Sequence, residues 1–269
     1  MKTVELDKNI ENILKYLAKD ILYNDLVNSY SSENKNTKPY ILGITGSVSV
    51  GKSTMSRILQ KGLKKYFTNK NISIITTDSF LYSNEILNNL GLMEQKGFPK
   101  TYDIYRLKKF FLDITFGIQN INIPVYSHFF QNIVPSCNKI VQKSDIFIIE
   151  GLHILNPYFY ITQKDGSFYF SDFFNFSIYM DAKDEFLIEW YLNRFLRLRK
   201  ISKFYPRSFF NFYFKMSLND AINYAIRVWY KINYKNLKEN IFFTKQYANL
   251  IINKNFEHEI NYVKFIKFK

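Results

Sequence analysis

The sequence predicts an α/β fold: a parallel sheet with helices on both faces. Three observations carry this expectation. Short β-branched and apolar runs recur at residues 40–45, 72–77, 146–149, 176–180 and 248–252. These runs are apolar throughout rather than alternating, as strands buried on both faces are. Stretches of helical periodicity separate them, which is the order of a sheet wrapped by crossover helices.

The elements follow in chain order. Residues 1–30 read as an amphipathic helix, with Ile10, Ile13, Leu14, Leu17 and Ile21 at helical spacing. Residues 31–38 are polar and turn-like. The expected division is thus a helical N-terminal segment, 1–38, before a main domain, 39–269. Residues 40–45 form the first buried strand and 53–66 a helix. A second strand, 72–77, leads into a loop-rich stretch punctuated by Gly91, Gly97, Pro99, Pro124 and Pro135. Strands at 146–149 and 176–180, helices at 183–200 and 218–230, and a strand at 248–252 complete the pattern. No break suggests a second domain.

Composition narrows the function. The 269 residues are 47% hydrophobic and 22% charged, enough for a sizeable core and unlike a disordered chain. Cys137 is the single cysteine, which excludes an internal disulfide framework and any multi-cysteine metal site. His128, His153 and His258 are far apart in sequence, against a histidine-built metal centre. No apolar run is long enough to span a membrane. Glu5, Asp7 and Glu11 interrupt the first residues, unlike a secretory signal, so a cytoplasmic protein is expected. Lys plus Arg number 37 against 23 Asp plus Glu, a net charge of +14 that favours anionic partners. The lysines are scattered, and the nearest approach to a patch is Arg194, Arg197, Arg199, Lys200 and Lys203. An anionic small-molecule site is therefore expected ahead of a nucleic-acid face, with no membrane partner.

The decisive motif is Gly46-Ser47-Val48-Ser49-Val50-Gly51-Lys52-Ser53, which fits G-x-x-x-x-G-K-[ST]. It directly follows a predicted strand and opens a predicted helix. Glycines let backbone N–H groups turn toward phosphates, and the helix N-terminus adds positive potential. Lys52 can reach the β- and γ-phosphates of a nucleotide, and the Ser53 hydroxyl can sit on Mg²⁺. The fold expectation sharpens to a P-loop NTPase-type parallel sheet in a single domain.

Ligands of open parallel sheets bind beyond the carboxyl ends of the strands. Asp78 and Glu150 sit at two such ends. A lone carboxylate there is more often a helix cap. The phosphate loop changes the weighting, because both would converge on Lys52. Asp78 is assigned as the base for a substrate hydroxyl and Glu150 as the metal-side carboxylate. In EWYLNRFLRLR, Tyr191 and Arg194 share a helix face, so Arg194 can meet a transferring phosphoryl group or form a solvated basic stripe. The aromatic run 204–214 is either core or the wall of an apolar pocket. His128 is open between core and ligand contact.

The blocks PYILGITGSVSVGKST, ITTDSFLY, GLMEQKGFPKTYD, PVYSHFF, IFIIEGLHIL, SDFFNFSIYMDA, WYLNRFL and WYKINYKNLKENI, in that order, closely resemble the type I (bacterial) pantothenate kinases. The resemblance covers residues 39–264. It implies ATP- and Mg²⁺-dependent phosphorylation of pantothenate to 4'-phosphopantothenate, the first step of coenzyme A biosynthesis, on a P-loop kinase fold that is usually a homodimer. Lys52, Ser53 and Thr54 match the phosphate loop, Asp78 the catalytic base, Glu150 the metal-side carboxylate and Arg194 the arginine facing the transferred phosphate. Tyr126, His128, Tyr191, Tyr213 and Asn233 match the pantothenate pocket. Lys254 and His258 match the adenine site. Lys52, Arg57 and His128 match positions where coenzyme A binds as a feedback inhibitor. Gln131 stands at an expected tyrosine, Leu198 at an expected phenylalanine and Phe209 at an expected tyrosine. The segment before residue 39 is shorter than the family's. The departure at Leu198 implies weak feedback inhibition. Two rival readings stand beside this one: a kinase for a nucleoside such as uridine, and a non-catalytic nucleotide-dependent nucleic-acid-binding protein.

Overall fold

A computed structural model describes residues 3–6, 9–31, 38–163 and 166–266. Its strands are β1 (Thr3–Leu6), β2 (Tyr40–Gly46), β3 (Ile72–Thr76), β4 (Ile121–Ser127), β5 (Asn132–Val141), β6 (Ile146–Glu150), β7 (Tyr160–Gln163), β8 (Gly166–Tyr169), β9 (Phe176–Ala182), β10 (Leu250–Lys254) and β11 (Ile260–Ile266). Its α-helices are α1 (Ile10–Ser31), α2 (Lys52–Tyr66), α3 (Asn84–Asn89), α4 (Ile104–Thr115), α5 (Asp184–Ile201), α6 (Asn211–Phe214) and α7 (Leu218–Val228). The chain after α7 widens into π-helical turns at Trp229–Tyr234 and Leu237–Ile241.

Seven strands form one sheet in the order β1-β11-β10-β9-β2-β6-β3. The five from β10 to β3 are parallel, as the uniformly apolar runs predict. Every residue of β2 is buried, because the strand is central and covered on both faces. Successive residues feed opposite cores. Leu42, Ile44, Ile146 and Ile148 join a cluster that includes α1 and α2, whereas Ile41, Ile75, Phe147 and Ile149 pack with Phe110 and Phe111 of α4. Helix α1 lies on α2, where Gly62 leaves room for Leu14: a Cβ at residue 62 would sit 2.4 Å from Leu14 Cδ1. The Tyr66 hydroxyl donates to Glu11 across the same contact (2.6 Å).

The structure departs from the sequence reading in three places. Residues 3–6 are strand, not helix: β1 pairs antiparallel with β11, and the free edge of β11 supplies ladder partners that local periodicity cannot reveal. The stretch read as loop-rich folds into α3, α4 and the β4–β5 hairpin, with Pro124 at a register shift of that hairpin, where a missing N–H is tolerated. The helix expected at 218–230 ends as α-helix at Val228 and continues as π-turn. Among the described residues no helix is long and apolar enough to cross a membrane.

Register brings the site together. Ile44 and Thr76 both pair with Glu150, Gly46 pairs with Met180, and Ala182 with Lys254. The carboxyl ends of all five parallel strands therefore share one rim.

Candidate active site

The loop Gly46–Gly51 links β2 to α2 at that rim. Its backbone takes conformations that favour glycine: Gly46 has φ +134° and Gly51 φ +99°, with Ser49 at φ +65°. At Gly46 a side chain is also barred by space, since a Cβ would lie 2.3 Å from the Met180 carbonyl oxygen. Lys52 folds back over the loop, donating to the carbonyls of Gly46 (3.0 Å) and Ser47 (2.8 Å). Burial pushes its ammonium down to about 8, against the opposing pull of Glu150 and Asp78, while Arg194 adds to the lowering. A lysine in that condition is a cation short of anionic partners.

Ser53, the second residue of α2, donates its hydroxyl to Glu150 Oε2 at 2.9 Å. Glu150 is 7% exposed, and burial raises its pKa while Lys52 lowers it. Asp78 lies in a short 3₁₀ turn directly after β3, its N–H held by the Thr76 hydroxyl (3.3 Å). The Asp78 charge reaches Lys52, Glu150, Tyr126 and His128, which places it at the centre of the rim.

The tip of the β4–β5 hairpin covers this centre. Tyr126 and His128 pack edge to face, with ring centroids 5.3 Å apart. Burial first, and Asp78 second, hold the Tyr126 hydroxyl well above its ordinary value. The charges of Asp78, Arg194, Lys52 and Arg57 all reach the His128 ring. Arg57 is exposed on α2, and its charge also reaches Glu150.

From the opposite side α5 presents Tyr191 and Arg194, the pair expected on one face. Tyr191 faces Asn233 of the π-turn and packs on Trp229 (5.3 Å between centroids). Burial raises its pKa to about 12, while Asn233 and Arg194 favour the charged form. Arg194 thus reaches Lys52, Tyr126, His128 and Tyr191. Tyr213 is buried in a small cluster with Phe195 and Phe210, its ring 4.7 Å from that of Tyr224.

The end of β10 supplies the remaining wall. Lys254 Nζ donates to the Val50 carbonyl (3.3 Å) and lies 3.4 Å from His258 Nδ1. The His258 ring stacks on Trp190 at 4.0 Å and 25°, and the Lys254 ammonium sits 5.4 Å from the same indole. The phosphate loop, the two carboxylates, Arg194 and the Lys254–His258 pair, read separately along the sequence, thus meet at one rim.

The family model of the phosphoribulokinase/uridine kinase family matches residues 41–201. A pantothenate kinase of Cronobacter sakazakii is 40% identical over 94% of this chain and 80% of its own length, and one from Citrobacter koseri matches equally. The chain belongs to the pantothenate kinase family. Among solved structures, D-glycerate 3-kinase of Cryptococcus neoformans shares 13% identity and superposes with a TM-score of 0.62, over 94% of this chain and 99% of that one. That likeness shows a shared α/β fold.

Seen in a pantothenate kinase, three residues that no motif singled out stand at the site. Trp190 provides the ring under His258; its spacing from Tyr191 and Arg194 on α5 was the signal available. Lys96 reaches the Gln131 carbonyl at the hairpin tip, and Asn236, between the two π-turns, donates to the neighbouring Gly97 carbonyl. Both lie inside blocks quoted for the resemblance, but a lysine and an asparagine are common in this chain and carried no mark.

Proposed function

We propose that this enzyme transfers the γ-phosphoryl group of ATP to the terminal hydroxyl of pantothenate, the first step of coenzyme A biosynthesis. The observation that carries the reading is the meeting of Lys52, Asp78, Glu150 and Arg194 at one rim, under the Tyr126–His128 hairpin tip. The residues fit a nucleotide and a hard cation. The hydroxyls of Ser47 and Ser49 are buried without a hydrogen-bond partner, and Ser53 with Glu150 forms an all-oxygen donor pair. Mg²⁺, when bound, supplies charge neutralisation across the β- and γ-phosphates, and Ser53 and Glu150 would hold it directly or through water.

The residues act as follows. Gly46–Ser53 and Thr54 cradle the phosphates, Lys52 exchanging its two loop carbonyls for phosphate oxygens. Lys254, His258 and the Trp190 ring bound the nucleotide base. Tyr126, His128, Tyr191, Tyr213 and Asn233 hold pantothenate with its hydroxyl toward Asp78. Asp78 accepts the hydroxyl proton as that oxygen bonds to the γ-phosphorus, and the bridging P–O bond breaks toward ADP. Arg194 offsets charge on the transferring group.

Coenzyme A would compete with ATP at Lys52, Arg57 and His128. Leu198 packs into the Phe195–Tyr213 cluster and offers no ring for stacking, so inhibition is weak. Phe209 keeps an aromatic ring 5.4 Å from Tyr213 but lacks the hydroxyl. By its family resemblance we place the enzyme in the cytoplasm as a homodimer. The test is ADP release with pantothenate and uridine side by side. Turnover with pantothenate supports the reading; turnover confined to uridine replaces it with a nucleoside kinase, and no turnover with either refutes both.

A further inference from the structure

The connector between α5 and α7 divides its aromatic side chains between core and surface. Phe210 and Tyr213 pack inward against Phe195. Ile201, Phe204, Tyr205, Phe209 and Phe212 are left exposed, Phe204 at 74% and Phe212 at 63%. Single exposed apolar side chains are ordinary, but a crowd of them within residues 201–212 marks a contact surface. The hairpin tip adjoins it. Phe129 packs edge to face on Tyr205 (5.2 Å between centroids), and its carbonyl accepts from the Phe209 N–H (3.3 Å) and the Ser208 hydroxyl (3.3 Å). Phe130, next along the tip, is exposed as well.

The charge on these segments is one-sided. Between Glu189 and Asp220 the chain carries seven lysines and arginines and no aspartate or glutamate. Between Asp113 and Asp145, the stretch that makes the hairpin, there is again no acid. Arg194 faces the rim, and Arg199 donates to the carbonyls of Tyr213 and Met216 (2.8 Å each). The other five, Arg197, Lys200, Lys203, Arg207 and Lys215, are exposed, and none is in an ion pair among the described residues. The Lys203 ammonium lies 6.0 Å from the Phe204 ring centroid, so basic and apolar groups are interleaved. Helix α1 differs: there the exposed Tyr23 and Leu26 flank Asp25.

We propose that this connector, with the hairpin tip, is a docking surface for a membrane that carries anionic lipid. The cations meet headgroup phosphates while the rings enter the boundary with the acyl chains, an arrangement that needs no spanning helix. A second copy of the chain is a poor occupant, since a two-fold contact would set these cations against themselves. A nucleic-acid strand would stack its bases on the rings, but Ile201 offers no such platform. Ile201, Phe204, Phe209 and Phe212 also lack a polar atom to read a base edge. Phe204 and Phe212 have no part in the pantothenate pocket, so docking is separable from turnover.

The experiment is co-sedimentation of the full chain with vesicles of phosphatidylcholine alone and with phosphatidylglycerol added, at low and at moderate salt. Wild type should bind the vesicles that hold phosphatidylglycerol, release as salt rises, and leave pure phosphatidylcholine alone. Phe204→Ser with Phe212→Ser, and separately Lys203→Gln with Arg207→Gln, should each lower the partition coefficient by at least about tenfold. Lys61→Gln with Lys65→Gln removes the same charge from the exposed side of α2 and should lower it by less than about threefold. The proposal is overturned by no binding to phosphatidylglycerol vesicles, by equal binding to both kinds, or by full binding without the two rings. An equal loss in the α2 pair overturns it too, as that marks general attraction to a chain of charge +14. So does a fall in oligothymidylate binding on loss of the rings while vesicle binding stands. Should the double serine variant not fold, the Lys203–Arg207 pair measured against the α2 pair decides alone.

Discussion

Raising the pH from 7 to 9 should weaken ATP binding by a calculable factor, because Lys52 titrates within that interval. Its free-enzyme pKa is about 8. Protonation then falls from about nine-tenths at pH 7 to about one-tenth at pH 9. A bound triphosphate surrounds the ammonium with negative charge and raises its pKa, so binding above pH 8 takes up a proton. The dissociation constant should rise about tenfold between pH 7 and pH 9, or about 1.4 kcal/mol. Isothermal titration of ATP at pH 7, 8 and 9, in buffers of different ionisation enthalpy, measures both the affinity and the proton uptake. Lys96, which burial also lowers to about 8, titrates in the same range, so Lys52→Arg assigns the slope: it should bind more weakly at every pH, with a flatter profile. Stability runs the other way. The folded-state pKa lies below the unfolded value of 10.5, so between about 8 and 10.5 the unfolded chain holds more protons and this lysine's contribution to stability rises with pH. Affinity lost at pH 9 is thus separable from alkaline unfolding. An affinity independent of pH, without proton uptake, would refute the reasoning.

Four further outcomes are expected. Asp78→Asn keeps the shape of the side chain but cannot accept a proton, and should lower kcat by about 10² to 10⁴ with ATP affinity retained; if affinity collapses instead, Asp78 and Glu150 exchange roles. Trp190→Leu removes the ring stacked on His258, worth about 0.5–1.5 kcal/mol, and should weaken ATP binding by about threefold to tenfold with little change in KM for pantothenate. Gly62→Ala drives a methyl into Leu14 and should cost about 1–3 kcal/mol in denaturant titrations, a loss that Leu14→Ala in the same chain should partly restore. Leu198→Phe should tighten inhibition by coenzyme A, measured against ATP, by about threefold to tenfold, and an unchanged inhibition constant counts against the inhibitor reading.

The parts of the site written locally in the chain were legible. The phosphate loop has a fixed spacing between a strand and a helix, and Asp78 and Glu150 stand where β-branched runs end. Once the runs are placed in one parallel sheet, these residues must meet. What sequence patterning missed depends on pairing at a distance. β1 is strand only because β11 is beside it, and β4 and β5 are strands because each is the other's partner. Lys96 looked like one more lysine in a chain with a charge of +14, and only burial against Asn84, Gln131 and Asp78 sets it apart. His153 and Asn236 were hidden for the same reason, since each bonds to the Gly97 carbonyl, whose address lies far along the chain.

The π-turns after α7 place a limit on how this gene can vary in length. A π-turn accommodates one more residue per turn than an α-turn, so losing one residue lets the segment relax into a regular helix. Residues between the deletion and the closed turn then shift by one position, about 100° around the axis at 3.6 residues per turn, while those beyond the turn keep their place. Asn233 faces Tyr191 on one side of the pocket and Asn236 binds the Gly97 carbonyl on another, with Trp229 and Leu237 anchored in the core before and beyond them. A deletion just before Asn233 or Asn236 therefore takes that residue off its partner. Side chains along the solvent face of this stretch can be exchanged freely, but a deleted residue costs one of these contacts.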